Sequence, residues 1–146
     1  TIRTNSEHAG FRHLVGELDR YLAVIDGNEH DFYHQYNQID QLNHVIVLTD
    51  NEQPVGCGAI KEMEPGVMEV KRMYTLPVAR GKGIASRVLT ELETWAAELG
   101  YSRCVLETGR RMTDAVNLYQ RRGYREIPNY GQYIGVDNSI CFEKQL

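Results

Sequence analysis

The seven residues Arg80-Gly81-Lys82-Gly83-Ile84-Ala85-Ser86 set two basic side chains and two glycines immediately before a helical pattern. Glycines at 81 and 83 remove Cβ atoms where the backbone must turn and where a ligand would come close. The N-H groups in the first turn of a helix lack acceptors within it and converge on one place, which suits phosphate oxygens. Arg80 and Lys82 would add positive charge there. The spacing is neither the GxxxxGK[ST] of a P-loop nor the dinucleotide GxGxxG. It reads as a pyrophosphate cradle of another kind, although a plain strand-to-helix turn with two solvated basic residues would carry the same letters.

Other reactive residue types are scattered. Cys57, Cys104 and Cys141 form no CxxC and no Cys/His pairing, so they read as buried free thiols. Cys57 and Cys104 lie in apolar strand runs without a sequence-adjacent base, which disfavours an acyl-cysteine route. The five histidines show no metal-ligand spacing, and the His30/His34 pair reads as a solvated helix face. No metal is expected.

The elements that must position the cradle follow from periodicity. Ser6 is a candidate N-cap for an amphipathic helix over residues 6 to 25, stopped by Asp26-Gly27-Asn28, and a short second helix is expected at Asp31 to Tyr36. His44 to Thr49, Val55 to Lys61 and Val67 to Leu76 read as three strands of an antiparallel meander, with turns at 50–53 and at Glu64-Pro65-Gly66. From Gly83 the period changes to a helical stripe running to Leu99 and closed by Gly100. A short strand at Arg103 to Glu107 follows, then a helix capped at Thr113-Asp114 and ended by Gly123. A strand over Tyr124 to Ile127 and a last edge strand over Ser139 to Glu143 complete an α+β, mixed-sheet fold with both sheet faces partly covered.

The chain has 146 residues, 42% of them hydrophobic and 25% charged, with 16 Lys+Arg against 20 Asp+Glu and a formal net charge of −4. One domain over 1–146 with a substantial core is expected, and disorder is not. A mildly acidic chain gains little from counterion release, so nucleic acid is a poor partner. No run approaches a membrane span, and the first residues hold no apolar signal core, so no membrane association and a cytoplasmic location are expected.

Arg80 to Ala85 resembles the R-x-x-G-x-G/A signature of the GNAT acetyltransferase superfamily. Met73-Tyr74-Thr75-Leu76-Pro77 is similar to the strand end that precedes the signature. Ala115-Val116-Asn117-Leu118-Tyr119, followed by Gly123-Tyr124, is similar to the family's A-x-x-L-Y...G-[FY] segment. The resemblance covers roughly residues 44 to 127 and suggests a small bacterial-type single-domain member. It implies a central, mostly antiparallel sheet with a splayed parallel pair and helices on both faces. It also implies acetyl transfer from acetyl coenzyme A to a primary amine of a small molecule or peptide, by direct attack in a ternary complex. A module that binds or senses acyl coenzyme A without transferring its acyl group is the alternative.

Residue by residue, the resemblance gives the pyrophosphate to Arg80, Gly81, Lys82, Gly83, Ile84, Ala85 and Ser86. The pantetheine amides and the acetyl carbonyl fall to the backbone of Met73, Tyr74 and Thr75, at a bulge in their strand. Asn117 becomes a coenzyme contact. Tyr119 becomes the donor to the departing thiolate, where otherwise it would pack with Leu118 and Tyr124. Glu69 takes the place of a glutamate base, with Glu107 as competitor and an ion-paired strand carboxylate as the plainer role of either. Arg110 and Arg111 would meet an acidic acceptor or the ribose phosphate, or lie solvated. The aromatic loop Asn129-Tyr130-Gly131-Gln132-Tyr133 and the polar stretch with Asp26, Glu29, His30 and Asp31 would border the acceptor. The resemblance also allows a homodimer paired through the C-terminal strands.

Overall fold

The computed structural model describes residues 1–26 and 41–146. The expected second helix, with Glu29, His30, Asp31 and His34, lies outside the described residues. The strands are β1 (Ile2–Thr4), β2 (His44–Asp50), β3 (Gln53–Glu64), β4 (Val67–Thr75), β5 (Arg103–Gly109), β6 (Arg125–Ile127) and β7 (Ser139–Gln145). The α-helices among the described residues are α1 (Ala9–Asp26), α2 (Ile84–Glu98) and α3 (Thr113–Arg121). The strands form one seven-stranded sheet in the order β1-β2-β3-β4-β5-β7-β6, in which β4 and β5 run parallel. This is the mixed α+β class expected. The chain divides into two compact units, one of residues 1–61 and 71–92, the other of residues 62–70 and 93–146.

In the first unit β2 and β3 form a hairpin whose two loop residues, Asn51 and Glu52, both have positive φ, 51° and 68°. That is the type I′ geometry whose twist matches the flanking strands. Register pairs Val45 with Ala59 and Val47 with Cys57, and these face Phe11, Leu14, Val15 and Leu18 of α1 in one apolar cluster. The alternate pairs, Ile46 with Gly58 and Leu48 with Gly56, face the other way. There the glycines admit α2: a Cβ on Gly56 would stand 2.5 Å from Ile84 Cγ2, and one on Gly58 2.8 Å from Leu92 Cδ1 and 3.0 Å from Val88 Cγ1. Helices therefore cover both faces of this part of the sheet.

Ser6 does not cap α1. It is buried, exchanging bonds with Leu42 through its own N-H (2.8 Å) and through its hydroxyl, which accepts from Leu42 N-H (3.1 Å). The cap is His8, whose Nδ1 accepts from Gly10 N (3.1 Å) and Phe11 N (3.3 Å), the second and third N-H groups of the helix. A polar residue committed to a buried pairing is unavailable for a helix end.

In the second unit Pro65-Gly66 joins β3 to β4, with Gly66 at φ 83°, and Ser102 ties to it by bonds from its N-H (2.9 Å) and hydroxyl (3.1 Å) to Gly66 O. Both helix ends expected at glycine are present. Gly100 and Gly123 are left-handed, with Tyr101 N bonded to Ala96 O and Tyr124 N to Tyr119 O, the six-to-one bond of a Schellman end. The N-cap of α3 is Met112, with no side-chain cap bond, rather than Thr113. Asp114 supplies only charge in the first turn.

The last strand corrects the sequence reading. β7 is interior, paired with β5 along Arg103↔Gln145 to Gly109↔Ser139 and with β6 on its other side. Ser139 to Glu143 are all buried, as a run flanked on both edges and both faces requires, and β6 takes the edge.

Candidate active site

The glycine turn leaves β4 through a 3-10 turn, Pro77–Ala79, and enters α2. Gly81 and Gly83 have φ 81° and 76°, and a Cβ on either would meet nothing within 4 Å, so the turn is open on its outer side. Their left-handed backbone is the reason for glycine at both positions. Arg87 N bonds to Gly83 O (3.1 Å) and closes the first turn of α2, which leaves the N-H groups of Ile84, Ala85 and Ser86 without intrahelical acceptors. Lys82 is exposed beside them. Arg80 reaches back instead: its Nε donates to Thr75 O (3.1 Å), and its guanidinium lies 5.4 Å from the ring centre of Tyr21 and 5.8 Å from that of Tyr74. Its charge and the shape of the turn are thereby tied to the end of β4.

Within β4, Arg72 has φ 58°, a left-handed residue in mid-strand that a long side chain adopts at a cost of about 1–2 kcal/mol. It stands immediately before Met73, Tyr74 and Thr75, where the resemblance expects a bulge. It is anchored by burial. The Arg72 side chain is 2% exposed and its Nη1 donates to Asp19 of α1 at 2.9 Å, while its carbonyl accepts from Cys57 Sγ (3.4 Å). Met73 faces α2 through Gly58, and Tyr74 joins the α1 cluster.

In the second unit the β4/β5 register runs from Val67↔Arg103 to Glu69↔Val105. Glu69 and Val105 share a face, and Glu107, two residues on, shares it too. Cys141 pairs with Glu107 and Ser139 with Gly109 on the same face. Tyr130 donates to Glu69 Oε2 at 2.7 Å, and Ser139 Oγ donates to Glu107 Oε2 at 2.7 Å. Both candidate bases are thus half-buried carboxylates held by a hydroxyl. Tyr119 lies over the opposite face, its ring 6.2 Å from that of Phe142, the strand partner of Leu106, and 5.8 Å from Tyr124. Burial, with the Glu107 carboxylate adding to it, pushes the Tyr119 phenol well above its ordinary value and keeps it protonated. Its hydroxyl makes no hydrogen bond among the described residues.

The remaining candidates are placed as follows. Asn117 is exposed on α3. Arg110 is exposed, with its N-H bonded to Asn138 O (2.7 Å) and its Nε to Asp137 O (2.9 Å). Cys57, Cys104 and Cys141 are free and buried as expected, and burial pushes the first two thiols up to about 12. No group of metal-ligating side chains occurs among the described residues. Sequence reasoning missed Gly56 and Gly58, whose alternation along β3 signals a helix lying close on one face. It placed Asn129 in the aromatic loop and Ser139 in the last strand without foreseeing the bonds of Asn129 to loop carbonyls or of Ser139 to Glu107, which nothing in the local pattern signals.

A model of the acetyltransferase (GNAT) family matches residues 12–124, a span containing the glycine turn, Glu69 and Tyr119. An IAA acetyltransferase of Azospirillum brasilense is 34% identical over 135 residues, covering 91% of this chain and 88% of that one. The uncharacterized N-acetyltransferase YjgM of Escherichia coli K12 is 33% identical over 113 residues, 75% of this chain and 66% of that one. A Klebsiella pneumoniae protein assigned as an acyl-CoA N-acyltransferase has the same fold with a TM-score of 0.78 at 27% identity, covering 99% and 98% of the two chains. A GNAT family acetyltransferase of Elizabethkingia anophelis, solved with acetyl-CoA bound, shares the fold with a TM-score of 0.61 at 20% identity over 70% and 77% of the chains. With most of its length matched by the family model, this chain belongs to the acetyltransferase (GNAT) family and is an acyl-transferring enzyme.

Proposed function

We propose that the enzyme moves an acetyl group from acetyl coenzyme A to a primary amine of a small molecule or peptide, by direct attack in a ternary complex. The observation that carries this reading is the open glycine turn. Three N-H groups at the start of α2, two left-handed glycines with clear space beyond them and two basic residues form a donor set that fits a pyrophosphate. Bound acetyl coenzyme A supplies an activated thioester. The N-H groups near Met73 and Tyr74, beyond the left-handed Arg72, polarise its acetyl oxygen. An ammonium has no lone pair, so Glu69 takes a proton from the acceptor before its nitrogen bonds to the acetyl carbon. As the carbon-sulfur bond breaks, Tyr119 hydrogen-bonds the leaving sulfur and gives it a proton, and the second proton, lost by the acylated nitrogen, restores the phenol. A phenol raised by burial serves best when this transfer accompanies bond breaking, since the thiol product has the lower pKa. Protonated, buried thiols at Cys57 and Cys104 support direct attack over an acyl-cysteine.

A thermal-shift titration with acetyl coenzyme A, coenzyme A, ATP and NAD tests the donor. The two coenzyme A forms alone are expected to raise the midpoint, by about 2.7 kcal/mol of added stability at a hundred times Kd. A thiol-release screen over amines then tests the acceptor class. No shift with either coenzyme form, or no thiol release with any amine, overturns the reading.

A further inference from the structure

The 129–139 loop is tied at both ends to the two carboxylates of the second unit. Asn129 is its hub: Nδ2 stands 3.1 Å from Tyr133 O and 3.2 Å from both Val136 O and Ser139 O. The backbone between closes into successive three-residue turns, Tyr133 N to Tyr130 O, Val136 N to Tyr133 O and Ser139 N to Val136 O, each 3.0 Å. Tyr130 leans edge-on against the buried Tyr133, ring centres 5.8 Å apart at 88°. From this frame the Tyr130 hydroxyl reaches Glu69 on β4, and the Ser139 hydroxyl, on a residue with no exposed surface, reaches Glu107 on β5. By gathering three loop carbonyls the amide fixes the path of the chain that carries both hydroxyls. A short O-H···O⁻ bond fixes the plane of a carboxylate and the direction in which it accepts a proton.

We propose that Tyr130, held by the Asn129 hub, is a positioning residue that orients Glu69 for deprotonation of the acceptor amine. This rests on the reading of Glu69 as the base. Among the described residues, Glu69 acts on Tyr130, Tyr133 and Cys141, and Glu107 acts on the last two as well. Burial holds both tyrosines protonated and pushes the Cys141 thiol up to about 11, so none of these three competes with the carboxylate for the proton of the acceptor.

The test compares Tyr130→Phe, Ser139→Ala and Glu69→Gln with the unaltered enzyme, each checked for its melting midpoint and its shift with coenzyme A. The readouts are kcat and KM for the acceptor across pH, using one amine protonated at the assay pH and one of low pKa already neutral there. For Tyr130→Phe we expect kcat/KM for the protonated amine to fall about 10- to 100-fold and the neutral amine to lose at most a few-fold, because only the protonated amine needs an oriented base. The coenzyme A shift should stay unchanged. Asn129→Ala should repeat this kinetic pattern with a lower melting midpoint. Equal losses for both amines overturn the proposal and reduce Tyr130 to packing. If Ser139→Ala slows the protonated amine selectively and Tyr130→Phe does not, Glu107 is the base and the proposal falls. Glu69→Gln separates the two levels: a full-rate variant defeats the base reading itself, whereas a slow variant beside a normal Tyr130→Phe defeats only the positioning role.

Discussion

Tyr119 joins two properties that a proton donor to a leaving thiolate needs, a hydroxyl kept protonated by burial and no competing hydrogen bond among the described residues. Tyr119→Phe keeps the ring that packs on Phe142 and Tyr124 and removes only the donor. We expect kcat to fall about a hundredfold or more while the coenzyme A midpoint shift is retained, read by thiol release and thermal shift together. Loss of the coenzyme shift would make the residue a binding one. Glu143 shows a different use of charge. Hydrogen bonds first from Arg125 and then from Arg103 hold its carboxyl below its ordinary value of 4.5. A carboxyl lowered in the folded state adds stability above the unfolded pKa and loses it as pH falls through the folded one. Glu143→Gln should therefore lower the melting midpoint at pH 7, and the gap from the unaltered protein should shrink as pH falls below the ordinary carboxyl value and through the lowered one. A gap that persists at low pH would assign the cost to packing.

At the scale of elements, the placement of α2 depends on what β3 omits. A Cβ on Gly56 would strike the branched, stiff Ile84 at 2.5 Å, whereas at Gly58 it would meet the flexible ends of Met73, at 2.6 Å, and Leu92. Gly56→Ala should thus destabilise by about 1–3 kcal/mol in a denaturant melt, more than Gly58→Ala, and displace the first residue of α2. Weaker coenzyme A binding should accompany it. Gly83→Ala meets no atom and should cost only the left-handed strain, about 1–2 kcal/mol. This contrast marks how far the sequence is legible. Val67 to Leu76 reads correctly as a strand, found over Val67–Thr75, and the glycine stops at 100 and 123 hold, because both signals are local. Ser6 and Thr113 are misread as caps because Ser6 is claimed by Leu42, far along the chain, and the helix after Thr113 opens one residue earlier, at Met112. The polar turn, the buried cysteines and the strand end before Arg80 can be read from residue types. The left-handed Arg72 cannot, since nothing in an arginine foretells φ 58° until Asp19 is seen to hold it.

For the whole molecule, three buried thiols with raised pKa values should leave the native protein silent toward a disulfide reagent such as DTNB at neutral pH. All three are expected to react only as the chain unfolds, and fast native labelling of any one would show that its surroundings open. No helix among the described residues is long and apolar enough to cross a membrane. The interior position of β7 reaches beyond structure into the order of synthesis. β5 and β6 emerge before it, and neither can be completed by the other, because the slot between them belongs to a strand made later. On the ribosome, the β2-β3 hairpin, with its two-residue turn, can close early. The pairing that encloses Glu107 must wait for residues 139–145 to leave the exit tunnel. A stalled chain ending before β7 should therefore expose the apolar face of β5, and until that moment the nascent enzyme depends on whatever shields unpaired strands in the cell.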